Sequence, residues 1–207
     1  MINVLIVEDS RISREMFERQ LAAMPEYRVA ASIENAANAE IVCLSNRIDL
    51  ILMDICTADD ESGLEAAEKI RKSHPAIRII VMTSMPEQSF IRKARSAGCD
   101  SFWYKEDGAV SLQEICEATM AGQHIWPEEA PAVMIGAVRS DELTAREMEV
   151  IRGLAGGKRY EEIADELKVS PNTVKYHMKN ILQKTGFRST VQLVAEVVGK
   201  RLILPKY

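Results

Sequence analysis

The stretch DLILMDICTADDESGLE, Asp49 to Glu65, runs four apolar side chains, Leu50 to Met53, into the carboxylate of Asp54, and then scatters four further acids, Asp59, Asp60, Glu61 and Glu65. A short β-rich apolar run of this kind reads as a strand. An acid ending such a strand stands where open α/β sheets keep their ligands. It is also commonly a plain loop initiator, so its meaning depends on what else reaches the same edge.

Similar short runs recur on either side: VLIV (Val4 to Val7), YRVAASI (Tyr27 to Ile33), IRIIVM (Ile77 to Met82) and SFWY (Ser101 to Tyr104). Between them lie stretches with helical spacing, among them Ile12, Met16, Phe17 and Leu21, then Leu64, Ala67 and Ile70, then Leu112, Ile115 and Cys116. Strands alternating with helices predict a doubly wound, five-stranded parallel sheet, flavodoxin-like in the order 2-1-3-4-5. In that order the first and third strands are neighbours. Glu8 and Asp9 then meet Asp54, while Thr83 and Lys105 arrive from the fourth and fifth strands. Three carboxylates so placed repel one another, and a divalent cation resolves the repulsion. Magnesium suits an all-oxygen set that includes a phosphate. A hydroxyl and an ammonium complete a site for a transferring phosphoryl group, with Asp54 as nucleophile. The Asp59-Asp60-Glu61 run reads as a solvated loop.

VLIVEDS, LILMD, IIVMTS and AGCDSFWYKE resemble the receiver domain of bacterial two-component response regulators, over roughly residues 2 to 122. The resemblance implies that Asp54 accepts a phosphoryl group from a sensor histidine kinase. It implies that Glu8, Asp9, Asp54 and the backbone carbonyl of Cys56 hold Mg2+, and that Thr83 and Lys105 contact the phosphoryl oxygens. Phe102 matches the aromatic that turns inward as the threonine shifts, without the hydroxyl of the commoner tyrosine. One departure concerns the loop after the acceptor. The family usually has Met-Pro there and a glycine eight positions on, whereas this chain has Cys56-Thr57 and reaches Gly63 nine positions after Asp54. The loop is one residue longer and more acidic.

Charge divides the chain. Residues 141–207 carry twelve Lys or Arg against nine Asp or Glu, a balance of +3, which leaves residues 1–140 at -8 from a total of -5. No acid occurs between Glu166 and Glu196, while Lys168, Lys175, Lys179, Lys184 and Arg188 fall inside that window, as expected for contact with a polyanion. Residues 123–141 read as a linker, with a short helix expected over 130–138. After it, LTARE announces a helix with Thr144 and Glu147 as a capping box and Leu143 and Met148 as a hydrophobic staple. A later helix starts at Ser170-Pro171 and buries Val174, Met178, Ile181 and Leu182, which leaves Thr173, Lys175, Tyr176, Lys179 and Gln183 on its free face. Five phosphate contacts would set an upper bound near -4.5 on the salt slope per protomer.

Residues 143–204 resemble the LuxR-type helix-turn-helix, and the whole chain resembles a NarL/FixJ family response regulator: residues 1–122 receiver, 142–207 DNA-binding domain. The resemblance implies base contact by Lys175, Tyr176 and Lys179, phosphate contact by Thr173 and Lys184, and a homodimer seam partly on Leu193, Val194 and Val197. Arg159 stands where the family often has a serine cap. The partners implied are a sensor kinase, promoter DNA with half-sites about 34 Å apart, and RNA polymerase as a further candidate. Enzymatic turnover is not expected beyond the gain and loss of phosphate at Asp54. The four cysteines are far apart and read as buried free thiols; with no leader and no membrane-length apolar run, a cytoplasmic protein without membrane contact is expected.

Other readings differ in class. A phosphate-ester hydrolase built on Asp54 would need an acid at position 56, which is Cys56. A flavodoxin-like electron carrier would place a flavin phosphate on the acidic EDSR loop. A regulator of the same architecture could work independently of phosphorylation.

Overall fold

The computed structural model describes residues 1–105, 110–200 and 202–203, in two compact units: Met1–Ser84 with Gln88–Ala130, and Met85–Glu87 with Pro131–Tyr207. In the first unit β1 (Ile2–Val7), β2 (Tyr27–Ile33), β3 (Leu50–Asp54), β4 (Arg78–Thr83) and β5 (Ser101–Tyr104) form one parallel sheet in the order β2-β1-β3-β4-β5. The connecting helices are α1 (Arg11–Ala22), α2 (Ala39–Ser45), α3 (Gly63–Ser73) and α4 (Ser89–Ser96), and α5 (Leu112–Met120) follows β5. Serines start three of them. Ser10, Ser62 and Ser111 accept from the amides of Ser13, Glu65 and Glu114, which satisfies otherwise orphaned donors.

The strands are buried on both faces, which is why their sequences do not alternate. Val4, Ile6, Leu50, Leu52, Ile80 and Met82 join Phe17, Leu21, Ile115 and Cys116 in one core, while Leu5, Val7, Ile51, Met53, Ile79 and Val81 are just as inaccessible on the opposite face. The stripe expected on α1 is corrected. Phe17 and Leu21 are buried, but Ile12 is 81% and Met16 42% exposed. At 100° per residue the pair 12 and 16 points about 100° or more away from the pair 17 and 21, so the four lie on two faces of α1 and only one meets the core. Cys43, Cys99 and Cys116 are buried free thiols, and burial pushes the last two up to about 12; Cys56 is only half-buried.

The second unit opens with a hairpin rather than the expected helix over 130–138. β6 (Met134–Ile135) pairs antiparallel with β7 (Val138–Arg139) around Gly136, whose φ of +60° suits a tight turn. The positive φ at Gly136 reverses the chain there and ends any helical run, and the flanking Val, Met and Ile pair as strands. Helices α6 (Ala145–Ala155), α7 (Tyr160–Leu167), α8 (Pro171–Thr185) and α9 (Thr190–Gly199) enclose a core of Val150, Ile151, Ile163, Val174, Met178 and Ile181. The capping box of Thr144 and Glu147 and the Ser170-Pro171 start are formed as expected. Arg159 makes no side-chain cap; its amide instead donates to the carboxylate of Glu162 at 2.7 Å.

Candidate functional site

Strand ends set the site. Glu8 and Asp9 follow β1, Asp54 is the last residue of the adjacent β3, Thr83 the last of β4, and Lys105 follows β5, all at the carboxyl edge. Oxygens of Glu8, Asp9 and Asp54 lie within 4.8 Å of one another. Glu8 and Asp54 are buried and Asp9 is exposed, so the cluster opens to solvent through one carboxylate. The ammonium of Lys105 lies 2.5 Å from Glu8 Oε2 and 3.1 Å from Asp54 Oδ1. Asp54 Oδ1 also accepts from the amide of Ile55 at 3.0 Å, and Glu8 Oε1 from that of Ser10 at 3.1 Å.

Three carboxylates against one ammonium leave the pocket electron-rich and short of compensation. Burial above all, opposed by Lys105 and reinforced by Glu8 and Asp9, leaves the Asp54 carboxyl pushed up to about 7. For Lys105 burial works against the charge, yet Asp54 and Glu8 outweigh it and raise its pKa above the ordinary value. The donor set, all oxygen and closely spaced, fits a hard divalent cation. Such binding needs Asp54 ionised. Magnesium affinity is therefore expected to fall about tenfold per unit as pH drops below about 7. Calorimetric titrations at pH 8 and pH 6 check this, and equal affinities would contradict it.

Phe102 is already inward. Its ring lies 4.9 Å from that of Tyr104 and 6.3 Å from that of Trp126, and its amide donates to the carbonyl of Ile125 at 2.9 Å. The segment that follows α5 thus lies along the free edge of β5, which the sequence did not indicate.

On α8 the buried positions are Val174, Met178, Ile181 and Thr185; Leu182 is only half-buried. Lys175 and Lys179 are exposed, Tyr176 is 63% exposed, and Thr173 is half-buried with its hydroxyl 2.9 Å from that of the cap Ser170. Lys184 departs from expectation. Its ammonium lies 2.8 Å from Glu147 Oε2, a carboxylate buried at the start of α6, so it has a partner within its own unit.

Two family models cover the two halves: "Response regulator receiver domain" matches residues 4–117 and "Bacterial regulatory proteins, luxR family" matches residues 141–197. The chain belongs to the LuxR-type response regulators of the NarL/FixJ family. Response regulator protein VraR of Staphylococcus aureus (strain NCTC 8325 / PS 47) is 30% identical over 209 residues, covering 98% of this chain and 99% of the relative. A LuxR family response regulator from Aurantimonas sp. SI85-9A1 is 28% identical with a TM-score of 0.56, over 61% of this chain and 89% of that one. RcsB from Salmonella enterica serovar Typhimurium, solved on promoter rprA with the phosphomimetic BeF3-, shares the fold at 20% identity and a TM-score of 0.62, over 95% and 98% of the two chains.

In this response regulator the extra residue of the β3–α3 loop has a definite place. Asp59 and Asp60 both take left-handed conformations, φ +63° and +59°, which fold the added length into a tight, exposed turn. Gly63 therefore still reaches Asp54: its amide donates to the carbonyl of Ile55 at 2.9 Å, and its α-carbon lies close against the backbone of Asp54. In the LuxR-type unit, Leu193 and Val197 are fully buried in that unit's own core, whereas Val194 is half-buried and Val191 on the same helix is 78% exposed. Leu193 and Val197 thus have no free surface for the seam expected of them, because α9 spends that face on its own core. No helix among the described residues is long and apolar enough to cross a membrane.

Proposed function

We propose that this response regulator is a cytoplasmic transcription factor switched by phosphorylation of Asp54 from a sensor histidine kinase, binding promoter DNA as a dimer. The observation that carries the reading is the gathering of Glu8, Asp9 and Asp54 within 4.8 Å, with Lys105 bridging Glu8 and Asp54. Glu8, Asp9, Asp54 and the Cys56 carbonyl would hold Mg2+, which supplies positive charge for the phosphoryl oxygens. A carboxylate oxygen of Asp54 attacks phosphorus as the bond to the donor nitrogen breaks. Lys105 transfers its contact from the carboxylates to the new phosphoryl group, and Thr83 hydrogen-bonds to that group. Added charge at this edge biases the packing of Phe102 against the Tyr104 and Trp126 rings, a local event that can shift a two-state surface. Light scattering and DNA titration with beryllofluoride and Mg2+ test this. The mass should double and affinity rise; unchanged mass and unchanged affinity would contradict the switch.

On the DNA side Lys175, Tyr176 and Lys179 face base edges and Thr173 a phosphate, with a dimer seam on Val191 and Val194 of α9. Lys179→Ala is expected to weaken specific binding by about 1–3 kcal/mol. Lys184→Ala should leave the salt slope unchanged and lower the unfolding midpoint instead, because it removes the cation that pairs with the buried Glu147 carboxylate and leaves it only the Thr144 cap. DNA titrations at several salt concentrations, with melting curves alongside, separate the two outcomes.

A further inference from the structure

The two loops that carry the acids are fastened to one turn. Glu34, Asn35 and Ala36 follow β2. From the β1–α1 side, Arg14 Nη1 donates to the carbonyl of Glu8 at 2.6 Å and to that of Asp9 at 3.4 Å, while Nη2 reaches Glu34 Oε1 at 2.7 Å. From the β3–α3 side, the Thr57 hydroxyl accepts from the amide of Ala36 at 2.9 Å and donates to the carbonyl of Glu61 at 2.8 Å. Beside it the Ala58 amide donates to the carbonyl of Glu34 at 3.0 Å, and Asn35 Nδ2 donates to Asp59 Oδ2 at 2.9 Å. Thr57 is only 5% exposed, and its hydroxyl is satisfied both as donor and as acceptor.

We propose that Arg14 and Thr57 are positioning residues for the divalent cation, locking the loop of Glu8 and Asp9 and the loop of Asp54 and Cys56 to the turn 34–36. The proposal rests on the reading of the acids as a Mg2+ site. Crowded carboxylates push their loops apart, whereas Mg2+ tolerates little departure from short, octahedral contacts. Something other than the ligands must therefore hold the spacing before the ion arrives. The arginine fork grips the peptide carbonyls of both acids of the first loop. Thr57 closes the second loop across the left-handed Asp59–Asp60 turn, so the longer loop is tied back toward β2.

The test is calorimetric Mg2+ titration of the full chain, paired with metal-free melting in chelator. Thr57→Val is expected to weaken Mg2+ binding about tenfold, and Thr57→Ser to stay within about twofold of wild type. Arg14→Lys keeps the charge without the fork and should also lose severalfold, so the proposal stays testable if Thr57→Val does not fold. If these variants melt lower but bind Mg2+ as wild type does, the residues are merely structural and the proposal is overturned. If wild type itself takes up no Mg2+, the reading of the acid pocket fails and this proposal with it.

Discussion

Asp54→Asn is expected to abolish acid-labile phosphate uptake from acetyl phosphate and Mg2+ while making the metal-free protein more stable. The first effect follows from removing the attacking oxygen. The second follows from linkage. Burial raises the Asp54 carboxyl from 3.8 to about 7, so the folded state holds a proton that the unfolded chain has released. The wild-type protein therefore loses stability as pH rises from about 4 to about 7, and Asn, which does not titrate, escapes that loss. The ceiling is about 4 kcal/mol at pH 8. Melting curves in chelator should show a gap that widens through this window and then levels. A phosphate-accepting Asn variant, or a gap that is flat in pH, would contradict the account.

Gly63→Ala is expected to cost more than an ordinary core substitution. A methyl group at Gly63 would lie 1.8 Å from the carbonyl oxygen of Asp54, 2.9 Å from its carbonyl carbon and 3.0 Å from Met53 Cγ. The nearest obstacle is backbone of a fully buried strand, not the end of a flexible side chain, so α3 or the end of β3 must shift. Overpacking of this kind costs about 3 kcal/mol. Because the displaced group is the peptide of Asp54 itself, Mg2+ affinity should fall more than tenfold with it. Denaturant unfolding and Mg2+ titration of the same sample check both effects; full affinity in a destabilised variant would show that the close approach serves packing alone.

Much of this was legible from residue order. The five apolar runs, their parallel arrangement and the arrival of Glu8, Asp9, Asp54, Thr83 and Lys105 at one edge depend only on period, strand count and topology, which short-range patterns encode strongly. The exposed face of α8 followed from the same logic, since Val174, Met178 and Ile181 fix which face is buried. What stayed hidden depends on approach distances and pairings far apart in the chain. Lys184 meets Glu147 across 37 positions and Arg14 meets Glu34 across 20. Periodicity also cannot tell one apolar face from two when four residues of α1 share helical spacing, as Ile12 and Met16 show. The hairpin at Met134–Arg139 is too short to register as a pattern.

Side chains from separate strands are expected to close around one divalent ion at the carboxyl edge of the sheet. A crystal soaked in Mn2+, which adopts the same oxygen coordination and scatters anomalously, tests it most directly. A single anomalous peak is expected within coordination distance of Asp54 and Asp9. A peak elsewhere, or none at this edge, would show that these side chains do not form one cation site.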